Sequence, residues 1–206
     1  MARNAHALAD DGRIRCSWAG GSAAERVYHD TEWGLPQHDD RTLFEFLVLE
    51  GAQAGLSWRT VLEKRDNYRR CLHRFDIARV ARMSDAELEQ CLLDPGIVRN
   101  RLKVYAARDN ARVALEVIAA EGSLAKYLWS FVDGVPIVNR PRRGADVPAS
   151  TVRSDAMSKA MHKRGFRFVG STICYAFMQA TGMVNDHLVT CFRHAECTRP
   201  PPAKRQ

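Results

Sequence analysis

Apolar residues along this chain recur mostly at helical spacing. Between Asp40 and Ala54 they fall at Leu43, Phe46, Leu47 and Leu49, a pattern that predicts a helix with Asp39 or Asp40 as its cap. Ser57 to Tyr68 predicts a second helix, with Ser57 placed to cap it. Asp76 to Arg82 is a short one, and Ser84 followed by Glu87 has the form of a capping box for a helix ending at Leu93. After the Asp94-Pro95-Gly96 turn comes a long amphipathic stretch, Asn100 to Ala120, ended by Gly122. Ser123 to Phe131 is short and aromatic, and Asp133-Gly134-Val135-Pro136 turns into a basic loop that ends at Gly144. Ser154 can cap Asp155 to Lys163, and Gly165 to Gly170 reads as a glycine-bounded hairpin. Ser171 to Thr181 reads as a helix, and Asn185 to Cys191 as the start of a last short one. No segment alternates convincingly as a half-buried strand does, so the expected fold class is all-α. The polar segment 1–14 and the proline-rich segment 198–206 read as loose tails around a single domain, 15–197.

Composition supports that picture and adds a partner. A length of 206 residues suits one domain, and 46% hydrophobic residues suffices for a sizeable core. The net charge of +7, with a pI near 9.3, favours a polyanion such as nucleic acid. Six cysteines would suit disulfides in a small secreted domain, but the polar stretch Met1 to Gly12 has no apolar signal core. No run approaches the roughly 18 apolar residues of a membrane span. The expected compartment is therefore a reducing cytoplasm, with no membrane partner, where cysteines are buried thiols or metal ligands.

His187 and Cys191 stand at i and i+4, so on a helix they would share a face and could converge on one ion. Zinc takes about four nitrogen or sulfur ligands. Cys16 and His29, on either side of Gly20-Gly21, are candidates for the other two, with His194 and Cys197 as rivals. On spacing alone a His/Cys pair is more often a core contact, and the pattern matches no familiar zinc finger. Four protein ligands would leave no position for water, which makes such a site structural.

Trp18, Trp33 and Trp58 crowd together with Tyr28, and Trp129 is the one other tryptophan. Core packing accounts for most tryptophans; the alternative is a stacking box for a flat, preferably cationic, heteroaromatic ligand. Glu50 ends an otherwise apolar helix face. It is either exposed at the helix end or buried against a ligand amino group or a cationic base. Gln53 follows with further hydrogen-bonding capacity. Gly55 permits a sharp turn with Leu56 at its tip, where a leucine is either ordinary packing or a wedge between bases.

The segment Lys159 to Ala176 sets a basic helix, a glycine-bounded turn and a new helix start in a row. Lys163, Arg164 and Arg167 supply charge, Gly165 and Gly170 bound the turn, and Ser171 and Thr172 add hydroxyls to helix-start amides suited to phosphate. This is the form of a helix-hairpin-helix that grips the DNA backbone.

Five segments together resemble the 3-methyladenine DNA glycosylase I family of bacterial alkylation-repair enzymes. They are Arg15-Cys16-Ser17-Trp18, Tyr28 to Gly34, Leu49 to Trp58, Lys163 to Gly170, and Val184-Asn185-Asp186-His187 with Cys191. The resemblance implies an all-helical member of the helix-hairpin-helix glycosylase superfamily, acting on double-stranded DNA with alkylated bases and releasing free 3-methyladenine. It places one structural Zn2+ on Cys16, His29, His187 and Cys191. It implies base recognition by Glu50, stacking by Trp58, a pocket role for Tyr28 with Trp18 and Trp33 nearby, and gap filling in the duplex by Leu56. Ala52 stands where that pattern carries glutamine, while Gln53 is kept. Ser171 to Thr181 contains no carboxylate, in keeping with a family that lacks the superfamily's catalytic aspartate there. A monomer is expected. The competing reading is a zinc-stabilised DNA-binding module without activity, which would need no aromatic box around Glu50.

Overall fold

A computed structural model describes residues 11–198, so the two expected tails lie mostly outside the described residues. Asp11 to Ile14 is tied down: Arg15 donates to Asp11 at 2.7 Å, and the Phe192 amide donates to the Ile14 carbonyl at 3.1 Å.

The described chain is built mainly of α-helices. They are α1 (Ala23–Thr31), α2 (Asp40–Gln53), α3 (Trp58–Leu62), α4 (Arg65–Cys71), α5 (Ile77–Ala81) and α6 (Asp85–Leu93). Then follow α7 (Arg101–Glu121), α8 (Leu124–Trp129), α9 (Val152–Arg164), α10 (Ser171–Ala180) and α11 (Phe192–Thr198). Helix α2 is the core of the fold. From Leu43 to Ala52 every residue is buried, with Glu45 and Glu50 as the two charged side chains among otherwise uncharged ones. It packs against α3, α7, α8 and α10. Local chemistry sets the ends. Asp39 caps α2 through the Thr42 amide, leaving Asp40 to accept from Leu124 and Ala125 at the start of α8. Ser84 and Glu87 form the expected capping box, Asn100 caps α7, and Gly122 ends α7 at φ 93°.

Several expectations are corrected. The helix expected over Ser57 to Tyr68 breaks at Glu63 and Lys64 into α3 and α4, and Arg65, the first residue of α4, is buried and pairs with Glu45 at 2.5 Å and Glu32 at 2.7 Å. Thr151, not Ser154, caps α9; Ser154 is the inner member of that capping box and is fully buried. His187 to Cys191 is not helical. Val184–Asn185 (β2) pairs in parallel with Ile137–Val138 (β1), the one sheet among the described residues, and departs from a purely helical expectation. The following loop spends its amides elsewhere: Leu188 on the Cys16 sulfur at 3.4 Å and Val189 on the Pro141 carbonyl at 2.9 Å. Helix α1 was not expected at all.

Candidate active site and metal cluster

Helix α1 carries Tyr28, and the last turns of α2 carry Glu50 and Gln53, to a cavity of about 230 Å3. Trp18, Trp33 and Trp58 line it too, with Glu25, Ala176 and Gln179. The Tyr28 and Trp58 rings lie 5.1 Å apart at 44°, and Trp18 meets Trp33 edge-on at 5.1 Å. The three clustered tryptophans and Tyr28 therefore do form one aromatic box, and Glu50 is buried in it at 3% exposure.

The box is rich in unsatisfied polar atoms. Tyr28 Oη, Trp58 Nε1 and Glu50 Oε2 are buried without a hydrogen-bond partner. Each such group costs about 1–3 kcal/mol, and more when charged. Burial pushes the Glu50 carboxyl up to about 8. Burial also holds the Tyr28 phenol well above its ordinary range, with the Glu50 charge a second cause. A cationic, amine-bearing ring in this cavity would supply what these groups lack: a donor for Glu50, a countercharge, and a flat face for the aromatic walls.

Four buried side chains meet behind the Trp18 and Trp33 wall. The ligand atoms of Cys16, His29, His187 and Cys191 all lie within 4.8 Å of one another. Cys191 Sγ lies 3.4 Å from His29 Nε2 and 3.6 Å from His187 Nδ1, and Cys16 Sγ lies 3.6 Å from His187 Nδ1. With metal–sulfur bonds of about 2.3 Å and metal–nitrogen bonds of about 2.0 Å, sulfur and nitrogen at tetrahedral corners stand about 3.5 Å apart. The donor set and its spacing thus fit a four-coordinate ion. The outer ring nitrogens are engaged as metal-bound histidines require: His29 Nδ1 on Asp30 at 2.8 Å and His187 Nε2 on the Trp33 carbonyl at 3.1 Å. Buried Arg15 in turn clamps Asp30 at 2.6 Å. Burial lowers the His187 pKa, which favours the neutral, ligating imidazole. His194 and Cys197 fall outside this cluster; His194 Nε2 bonds the Asn139 carbonyl at 2.8 Å.

On the remaining side of Glu50, α2 meets the turn between α9 and α10. A Cβ at Gly51 would come within 3.1 Å of the Phe168 Cβ, so glycine permits this approach. Gly165 ends α9 at φ 99°, and Phe168 lies at φ 56°. Gly170 precedes α10, whose first turn has no side-chain cap. Lys163 and Thr172 are exposed. The other expected contacts are partly occupied. Ser171 Oγ bonds Ser154 Oγ at 3.0 Å and also reaches Asp155. Arg164 pairs with Glu121, and Arg167 lies 3.5 Å from Asp109. Gly55 stands at φ 77°, and Leu56 beside it is 43% exposed.

Sequence reasoning missed four groups. Glu25 lines the cavity and is held by Arg59 at 3.0 Å. Gln179 lines it from α10. Lys103 donates to the Ala52 and Ala54 carbonyls at 2.8 and 2.6 Å, just before the Gly55 turn. Asp30 carries a signal in the sequence, as a carboxylate directly after a candidate ligand histidine.

A family model described as methyladenine glycosylase matches residues 18–194. DNA-3-methyladenine glycosylase 1 of Escherichia coli strain K12 is 49% identical over 177 residues, 86% of this chain and 95% of that protein. A crystal structure of 3-methyladenine DNA glycosylase I superposes with a TM-score of 0.84 at 50% identity, covering 86% of this chain and 98% of its own. A variant of a 3-methyladenine DNA glycosylase I crystallised in complex with 3-methyladenine gives a TM-score of 0.84 at 30% identity, covering 91% and 98%.

Proposed function

Since the chain belongs to the methyladenine glycosylase family, we propose that it excises 3-methyladenine from alkylated DNA, hydrolysing the N-glycosidic bond and leaving an abasic site. The observation that carries this reading is Glu50, a buried carboxylate with an unpartnered oxygen in an aromatic cavity. A base methylated at N3 brings positive charge and an exocyclic amine to that oxygen. Its glycosidic bond is already weak, because the electron pair of the breaking bond neutralises the ring and the base leaves uncharged. The protein's task is then to take the nucleotide out of the stack, hold the cationic base selectively and admit water to the sugar.

In this reading Glu50 accepts from the amine and favours the cation, and Trp58 stacks on the ring with Tyr28 alongside. Gln53, Trp18 and Trp33 complete the recognition surface. The α9–turn–α10 unit serves as a helix-hairpin-helix that holds backbone phosphate at Lys163, Gly165, Gly170 and Thr172, with Arg164 and Ser171 at its margins. Leu56, at the tip of the Gly55 turn, fills the gap left in the duplex. One Zn2+ on Cys16, His29, His187 and Cys191 would be structural: all four positions are protein ligands, and it would hold the segment bearing Trp18 and Tyr28. No helix among the described residues is long and apolar enough to cross a membrane.

The deciding experiment is chromatography of the bases released from methylated duplex DNA. Release of 3-methyladenine by the protein, with loss of release in Glu50→Gln, is the expected result. Duplex binding without release would leave a DNA-binding module instead.

A further inference from the structure

Helix α10 offers no carboxylate to the base cavity, yet one stands directly behind it. Asp186 is buried and accepts three hydrogen bonds: from Tyr175 Oη at 2.6 Å, Asn139 Nδ2 at 2.7 Å and Gln179 Nε2 at 2.7 Å. Gln179 thus joins this carboxylate to the aromatic box by a hydrogen bond. Its side chain lines the base cavity, and with Trp18 and Trp33 it also lines an adjoining cavity of about 250 Å3 that reaches Asp186.

The hydrogen bonds fix which way the Gln179 amide faces. A flipped amide would set its carbonyl oxygen 2.7 Å from Asp186 Oδ2, two acceptors in contact, while Tyr175 and Asn139 already supply donors to that carboxylate. One N–H of the amide is therefore committed to Asp186, which fixes the orientation of the whole amide. The oxygen is the one acceptor that Gln179 can offer an occupant of the cavity. An exocyclic amine carries two N–H donors, and Glu50 can take one.

Resting on the base-excision reading, we propose that Gln179 is a specificity residue that accepts the second amine hydrogen of the base, and that Asp186 is the positioning residue that keeps its oxygen turned to the cavity. The arrangement selects an amine-bearing ring over one carrying hydrogen or oxygen at that position. A ring oxygen would meet the Gln179 oxygen, an acceptor facing an acceptor.

The test compares equilibrium binding of free 3-methyladenine and of 3-methylpurine, which lacks the amine, by quenching of tryptophan fluorescence. In Gln179→Leu the affinity for 3-methyladenine is expected to fall about tenfold, as for one lost hydrogen bond of about 1.4 kcal/mol, with 3-methylpurine held within about twofold. Asp186→Asn can turn its own amide toward Gln179 and let that side chain flip. It is expected to lose the same preference for the amine, at unchanged metal content. Undiminished 3-methyladenine binding in Gln179→Leu, or an equal loss for both ligands, would overturn the proposal and leave Gln179 as packing. If the unaltered protein binds neither base, the base-excision reading falls first and this inference with it.

Discussion

Asn110 and Arg167 close a ring of two hydrogen bonds across 57 residues: the Arg167 amide donates to Asn110 Oδ1 at 2.7 Å, and Asn110 Nδ2 donates to the Arg167 carbonyl at 3.0 Å. The side chain thereby acts as a peptide group toward the α9–α10 turn. Two helical turns earlier, about 10 Å along α7, Lys103 holds the end of α2. The turn that follows α9 and the loop carrying Leu56 are thus braced from one face of one helix.

Asn110→Ala removes both bonds and leaves partly buried backbone groups unpaired. A loss of about 2 kcal/mol in stability is expected by thermal or urea unfolding. Affinity for duplex DNA should fall severalfold, while binding of free 3-methyladenine stays within about twofold. Equal loss of both would mean that Asn110 supports the base cavity directly.

Glu50 gives two opposite pH trends. Its folded pKa near 8 lies above the unfolded value, so the folded state keeps a proton that the unfolded state has lost. Stability therefore falls as pH rises from about 4.5 to about 8, by at most about 1.4 kcal/mol per pH unit, and levels off above. Glu50→Gln lacks this term, and its advantage in Tm over the parent should grow across that window. In the proposed chemistry, kcat/KM on alkylated DNA should instead rise with pH toward a plateau above about 8, and the Gln variant should be low and flat.

Asp30 is not one of the four residues proposed to hold zinc, but it bonds His29 Nδ1 at 2.8 Å. Asp30→Asn is expected to weaken zinc affinity about 10–100-fold, read by competition with a chromogenic chelator. Chelation or Cys191→Ser should lower Tm. Wild-type stability after either would remove the structural role of the ion.

Leu56 is exposed, so Leu56→Ala should change stability by no more than about 0.5 kcal/mol. Excision from duplex DNA should fall at least tenfold, and excision from single strands should fall much less, since only the duplex leaves a gap to fill. A uniform drop on both substrates would assign Leu56 to the cavity rather than to the duplex.

What the sequence made legible was what neighbouring residues decide. Asp39, Ser84, Asn100 and Gly122 act within one turn of themselves, and each does what its type suggests. Ser154 misled because two hydroxyls three residues apart both suit a cap, and only burial of α9 against its neighbours distinguishes them. The nonhelical path of His187 to Cys191 was hidden, because its amides answer to Cys16 and Pro141, far off in the chain. The aromatic box was visible as a cluster of rare residues. Glu25 and Gln179 were not, since nothing local tells which face of α1 or α10 meets the cavity.

The cluster of Cys16, His29, His187 and Cys191 joins residues from opposite ends of the described chain. Cys16 and His29 flank Trp18 and Tyr28 in the sequence, whereas His187 stands 171 residues beyond Cys16. An ion held by all four would cross-link two segments far apart in the sequence, with the gain that closing a long loop brings. The wall of the base cavity that bears Trp18 and Tyr28 would then owe its position to residues beyond β2 as well as to its own neighbours in the chain.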